Sequence, residues 1–254
     1  MDTVTFRIYR GTEEKHYWEE FELELVPGMN VISALMDIQK DPINTKGEKV
    51  EPVTWEQGCL EEVCGSCSML INGKPRQACT AIIIDILKKT GSNTITLAPL
   101  TKFPKVRDLV VDRKRMFETL KQVRGWVDVD GTFIKGFGPK ITQQTQETMY
   151  TLSTCMSCGC CTESCPQFHN KSKFVGPAAI SQVRYFNLNP TGKMASEKRL
   201  HELMEEGGIS ECGNAQNCVQ VCPKEIPLTE SIAVVGREVT SQALKDIFAT
   251  SDKN

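Results

Sequence analysis

Near its start the chain carries two stretches that alternate apolar and polar residues with a period of two. These are "VTFRIYR" (4–10) and "EFELELV" (20–26), and the pattern is that of half-buried strands. The next segment, "NVISALMDIQK" (30–40), changes period. Val31, Leu35 and Ile38 fall on one helical face, and Asn30 is placed to cap it. "SMLINGKPRQAC" (68–79) sets an Asn72-Gly73 pair between apolar flanks, a hairpin signal. "NTITLAPL" (93–100) reads as a closing strand. Strands, hairpin, helix and final strand suit a β-grasp unit, whether a ferredoxin or a ubiquitin-like interaction module. From about Asp108 the pattern turns helical. "VRDLVVDRKRMFETLKQV" (106–123) repeats at 3.6-residue spacing through Leu109, Met116, Leu120 and Val123, and is expected to stop at Gly125. A glycine-rich connector follows at 126–140, and helical segments fill the remainder. "SEKRLHELMEEGG" (196–208) is expected to be capped by Ser196 and stopped by Gly207. "LTESIAVVGREVTSQALKDIF" (228–248) forms a long helix. The fold class expected is α+β, with residues 1–105 forming a β-grasp domain and 106–254 an all-α domain.

The length, 254 residues, suits two such domains, and 40% hydrophobic composition suits a packed core. A formal net charge of −2 supplies no basic field, so nucleic acid is not an expected partner. The most apolar run, around "AIIIDIL" (81–87), is short and interrupted by Asp85, well under the roughly 18 residues of a membrane span. The start "MDTVTFRIYR" has neither the basic beginning nor the apolar core of a signal peptide, so a cytoplasmic setting is expected.

The twelve cysteines change the picture most, because a cytosolic chain keeps its thiols reduced. Four lie between 59 and 79, five between 155 and 165, and three between 212 and 222, which points to ligands rather than scattered core thiols. In the first group Cys59, Cys64 and Cys67 are spaced C-x4-C-x2-C, with Cys79 eleven residues further on. This is the plant-type 2Fe–2S spacing. Gly65 permits a tight turn there, and Ser66 adds a small polar group. Zinc is the competing reading, but zinc sites favour two short-spaced pairs.

The second group is "STCMSCGCCTESCP" (153–166). Leaving out Cys160, the residues Cys155, Cys158, Cys161 and Cys165, followed by Pro166, make the C-x2-C-x2-C-x3-C-P run of bacterial-type ferredoxins. In that run the fourth cysteine serves a second cluster. The third group, "CGNAQNCVQVCP" (212–223), supplies Cys212, Cys218 and Cys222. Crossing the two groups assigns Cys155, Cys158, Cys161 and Cys222 to a 4Fe–4S cluster. Cys165, Cys212 and Cys218 remain for the other. A fourth ligand would fall at Ala215, which has no donor atom, so a 3Fe–4S cluster is expected. Cys160 reads as a small buried thiol. His16, His169 and His201 read as surface or packing residues, with His169 of most interest because it follows Cys165.

With these motifs in order, and with "KFVGPAAI" (173–180) after the second run, the chain resembles the iron–sulfur subunits of succinate dehydrogenase and fumarate reductase over nearly its whole length. The resemblance implies a plant-type 2Fe–2S ferredoxin domain beside a helical ferredoxin domain. It implies an FAD-containing flavoprotein partner and a membrane-anchor partner, with the chain held peripherally on the cytoplasmic face of the cell membrane. Electrons would pass from the flavin through 2Fe–2S, 4Fe–4S and 3Fe–4S to a quinone, with no catalytic acid or base on this chain. Fumarate reduction is the same route reversed, and direction depends on the flavoprotein and the quinone. A free-standing electron carrier is the remaining alternative, although such proteins are usually more acidic. Ubiquinone-linked relatives carry a tryptophan five residues beyond the Cys-Pro cysteine and a histidine after the first cysteine of the C-x5-C pair. Those positions here are Asn170 and Gly213. The departure resembles the menaquinone-linked, Gram-positive-like form, whose single anchor carries two b-type haems.

Overall fold

In the computed structural model, residues 3–128 and 139–251 are described, and they divide into two compact units. The first comprises residues 1–113 together with 156–163; the second comprises 114–155 and 164–254. The connector expected at 126–140 lies largely outside the described residues.

The first unit is built on a mixed sheet. β1 (Thr3–Gly11) pairs antiparallel with β2 (His16–Glu24) and parallel with β5 (Thr94–Ala98). The hairpin of β3 (Ser68–Ile71) and β4 (Lys74–Gln77) completes the order β2-β1-β5-β3-β4. Its turn is the Asn72-Gly73 pair, both with positive φ (49° and 75°), as a tight hairpin turn requires. The alternation read from the sequence is the alternation of burial: Val4, Phe6 and Ile8 of β1 face the core. Helix α1 (Val31–Lys40) packs Val31, Leu35 and Ile38 into the same core. Asn30 caps it, its side chain accepting from the Ser33 N–H at 2.9 Å while the Ser33 hydroxyl accepts from the Asn30 N–H at 3.0 Å. Helix α2 (Ile83–Thr90) turns Ile83, Ile86 and Leu87 inward and ends at Gly91, φ 67°. Cys67 and Cys79 belong to this apolar core, so one side of the first cysteine group stands on rigid ground.

Residues 106–113 depart from the expected helix. They form β6 (Lys105–Arg107) and β7 (Val110–Val111), and helix α3 begins only at Lys114 (Lys114–Gln122). The cause is Asp108, which sits at φ 48° and is almost fully buried. Its carboxylate accepts from the Gly11 N–H at 2.6 Å and the Thr54 N–H at 2.8 Å, and it pairs with Arg10 Nε at 3.3 Å. Arg10 is equally buried, forms a second ion pair with Glu19, and donates to the Glu51 carbonyl at 2.7 Å. Tertiary bonding outweighs local helical periodicity here.

The second unit is helical. Beyond α3 come α4 (Gln143–Ser153), the short α5 (Cys160–Glu163, within the first unit's 156–163 segment), α6 (Pro177–Leu188), α7 (Ser196–Met204), the short α8 (Asn217–Gln220) and α9 (Leu228–Ser251). Pro177 opens α6 from Gly176, φ 89°, which accounts for the "GPAAI" signature. Ser196 is the first residue of α7 and not its cap; Ala195 holds the cap position without a side-chain bond. Phe168, Phe174, Ile180, Val183, Leu203 and Val235 make the core, with Cys165 and Cys212 packed against it. The fully buried Arg199 guanidinium donates to the carbonyls of Arg124, Trp126 and Gly192 and to Asn187 Oδ1, at 2.6–3.1 Å. No helix among the described residues is long and apolar enough to cross a membrane.

Removing one member of a buried ion-paired group leaves the rest uncompensated. Asp108→Ala is expected to destabilise the chain by about 3–5 kcal/mol, and Asp108→Asn by less, because asparagine tolerates the left-handed backbone. Urea denaturation of the full chain reads both; a loss under about 1 kcal/mol for Asp108→Ala would contradict the ion-pair argument.

Candidate iron–sulfur centres

The first cysteine loop points backbone N–H groups at its own sulfurs. Glu61, Val63 and Cys64 donate to Cys59 Sγ at 3.2–3.3 Å, and Cys59 and Ser66 donate to Cys64 Sγ at 3.3 and 3.5 Å. Left-handed residues make this possible: Leu60 (φ 64°), Glu62 (φ 55°) and Gly65 (φ 73°) turn successive N–H groups toward one place. The Cys64 thiol is drawn down to about 6 by the Ser66 hydroxyl and by the N–H groups of Cys59 and Ser66. Cys67 differs. Burial, with Cys79 beside it, pushes its thiol up to about 11. The loop therefore offers two sulfurs already surrounded by donors and two held in the core. That donor set fits a cluster bearing negative sulfur, which accepts such bonds without losing a proton.

Gly65 is also a point of close approach. A Cβ there would lie 2.7 Å from the Met156 carbonyl and 2.9 Å from Cys158 Cα. The Gly65 carbonyl accepts from Arg113 Nη1 at 2.6 Å, and Arg113 Nη2 donates to the Ser66 carbonyl at 3.1 Å and to Glu56 at 2.8 Å. The second cysteine run thereby enters the first unit. Its anchor is Glu163, buried, with one oxygen accepting from the Thr101 hydroxyl at 2.6 Å and the other from the Lys102 N–H at 2.9 Å.

Cys158 and Cys161 are buried in this segment, which turns at Ser157 (φ 52°) and Gly159 (φ 86°). The Cys160 thiol donates toward Cys158, which brings the Cys158 thiol down to about 7 against the opposing effect of burial, with Arg113 helping. The same contact and burial push Cys160 upward. Cys155 follows α4 and Cys222 follows α8, both in the second unit.

Cys165, Cys212 and Cys218 line one pocket of the second unit, with Ala215 on the same wall. Asn214 (φ 52°) and Gln216 (φ 60°) give this loop the same left-handed turning as the first. Burial raises the Cys218 thiol, and the charges of Cys165 and Cys212 raise it further. Gln167 lies against Gly213, where any side chain would meet its amide. The histidines take other roles. His16 stacks on Tyr9, His169 Nδ1 accepts from the Lys171 N–H at 3.2 Å, and His201 pairs with Asp246 at 2.9 Å. Spacing alone does not reveal Gln77, Arg113 or Glu163, the polar residues that brace the cysteine loops.

Comparison with known proteins now gives the class. Residues 5–118 match the 2Fe-2S iron-sulfur cluster binding domain, and residues 151–226 match the 4Fe-4S dicluster domain. The chain is 52% identical over 250 residues to the succinate dehydrogenase iron-sulfur subunit of Bacillus subtilis, covering 98% of this chain and 97% of that one. It is 28% identical over 245 residues to the fumarate reductase iron-sulfur subunit of Wolinella succinogenes, covering 94% and 98%. A chain of the Mycobacterium smegmatis Sdh1 complex in the apo form shares the fold, with a TM-score of 0.76 at 22% identity over 94% of this chain and 96% of that one. The chain belongs to the family of succinate dehydrogenase and fumarate reductase iron–sulfur subunits.

A methyl group at Gly65 would be strained at positive φ and would strike backbone atoms that cannot swing away. Gly65→Ala is expected to destabilise the first unit by about 2 kcal/mol or more and to lower iron occupancy. Thermal melting with iron analysis checks both; a fully loaded variant of unchanged stability would contradict it.

Proposed function

We propose that this chain conducts single electrons within a succinate:quinone oxidoreductase, between an FAD-containing flavoprotein and a quinone at a membrane-anchor subunit. In this reading Cys59, Cys64, Cys67 and Cys79 hold a 2Fe–2S cluster. Cys155, Cys158, Cys161 and Cys222 hold a 4Fe–4S cluster, and Cys165, Cys212 and Cys218 hold a 3Fe–4S cluster. Such clusters supply one-electron steps when bound, at potentials set by type, charge, hydrogen bonding and burial. The observation that carries the reading is the contrast between the cysteine environments. Cys59 and Cys64 sit among N–H donors in an open loop, whereas Cys165, Cys212 and Cys218 converge on a pocket beside Ala215. The residues' task is to fix the sulfurs, exclude water from the buried ones and set different potentials along one route. Ala215 supports three irons over four at the last site because it has no atom to give a fourth. With no long apolar helix among the described residues, attachment to the cytoplasmic face of the membrane falls to the anchor.

Metal analysis tests the cluster content: about nine iron atoms and about ten inorganic sulfides per chain are expected, with an electron paramagnetic resonance signal of oxidised 3Fe–4S. Cys161→Ser should damage the 4Fe–4S signal selectively. Zinc in place of iron would refute the assignment, and an iron count nearer ten without the 3Fe–4S signal would refute the role given to Ala215.

The quinone reading is menaquinone, with a two-haem anchor. Gly213 has no side chain and Asn170 lacks an indole that could both donate to a quinone oxygen and wall a pocket. Gln167 takes the space a side chain at 213 would need, which supports a pocket of different construction. The intact complex is expected to turn over faster with a menaquinone analogue than with a ubiquinone analogue, and Asn170→Trp should gain little with either. The reverse preference in steady-state assays would overturn this reading.

A further inference from the structure

Gln77 closes β4 two residues before Cys79, and its side chain is fully buried. A fully buried carboxamide must find partners, since an unpaired buried amide is costly. It finds three. Oε1 accepts from Cys67 Sγ at 3.4 Å, while Nε2 donates to Ser68 Oγ at 2.8 Å and to Cys160 Sγ at 3.6 Å. Ser68 passes its own proton to the Gly65 carbonyl at 2.8 Å, and that carbonyl also accepts from Arg113 at 2.6 Å.

This arrangement suits a Cys67 that still carries its proton. A cysteine bound to iron is a thiolate and has no proton to give. Oε1 would then face a negative sulfur. The two ends of a carboxamide have nearly the same shape, and turning the group over leaves every neighbour bonded. Nε2 then donates to Cys67 Sγ, and Oε1 accepts from the Ser68 hydroxyl and from the Cys160 thiol, whose one proton turns from Cys158 to the amide while Cys158 keeps the Cys160 N–H. The Gly65 carbonyl keeps its bond from Arg113. Both orientations are satisfied, and the bound state selects the second.

Resting on the assignment of Cys67 to the 2Fe–2S cluster, we propose that Gln77 is a positioning residue that gives the Cys67 thiolate a hydrogen bond and joins it through one amide to Cys160. Cys160 lies between Cys158 and Cys161 in sequence, so a residue of the second cysteine run influences the first centre without binding iron itself. A donor on a ligand sulfur favours the reduced, more negative state and so raises the potential.

The test is a redox titration of the 2Fe–2S electron paramagnetic resonance signal in the loaded complex. Gln77→Leu is expected to make reduction about tenfold less favourable, a fall of about 59 mV for one electron. Cys160→Ala should keep all clusters and produce a smaller fall, and that fall should vanish in the Gln77→Leu background because the amide transmits it. An unchanged or raised potential in Gln77→Leu, or an equal Cys160→Ala shift in both backgrounds, overturns the proposal. If Gln77→Leu fails to load, wild-type complex made with glutamine labelled by nitrogen-15 in its side-chain amide supplies the reading. Pulsed resonance of the reduced cluster should show coupling to one amide nitrogen, and absence of coupling overturns the proposal. A wild-type complex without any 2Fe–2S signal would overturn the cluster assignment itself, a result separable from the others.

Discussion

A protein that stores negative sulfur must meet it with hydrogen-bond donors, and the most compact supply is the backbone. An ordinary strand or helix spends its N–H groups on its own carbonyls. A loop that dips into left-handed conformations can aim several consecutive N–H groups at one point. The cysteine loops do so at Leu60, Glu62 and Gly65, again at Ser157 and Gly159, and again at Asn214 and Gln216. Each non-glycine residue among them holds an unfavourable backbone state that the surroundings must enforce. Much of the remaining architecture is that enforcement.

In the first unit the enforcement comes from two directions. Cys67 and Cys79 are set into the sheet core with Phe6, Leu35 and Ile95, so their sulfurs move only if the core moves. The open side of the loop is tied by Arg113, whose guanidinium reaches the carbonyls of Gly65 and Ser66. In the second unit Cys165 and Cys212 pack against the cluster of Phe168, Phe174 and Val235, with Cys218 buried beside them. Rigid support beneath and donors above is an arrangement that lets potentials differ between neighbouring centres while geometry changes little on electron transfer.

The grouping of the cysteines is readable in sequence because the short spacings within each run, as at Cys59, Cys64 and Cys67, leave a mark in cysteine positions. The strands are readable because Val4, Phe6 and Ile8 alternate with half-exposed Thr3 and Thr5 and exposed Arg7. Asn30 announces its helix through local chemistry alone. What escapes is whatever depends on residues far along the chain. The helical period at 106–113 is real, but Asp108 is claimed by Gly11, 97 residues earlier. Gln77 looks like an ordinary polar residue of a short edge strand until Cys160 is placed beside it. Glu163 resembles a surface acid until Thr101 and Lys102 close on it. Ser196 offers the right chemistry for a cap and is simply one position late.

The division of the chain also has a consequence for its birth on the ribosome. The first unit includes residues 156–163, and Glu163 bonds back to the Thr101–Lys102 corner. Vectorial synthesis delivers the sheet, both sheet helices and the first cysteine loop well before that segment emerges. The nascent unit must therefore wait, with Gln77 and the cleft beside Gly65 exposed, while the intervening stretch is made. Domains generally fold as units in the order they appear, and exposed unfinished surfaces invite misassembly. A chaperone or cluster-delivery protein that shields this face during the interval would serve a folding need written into the topology.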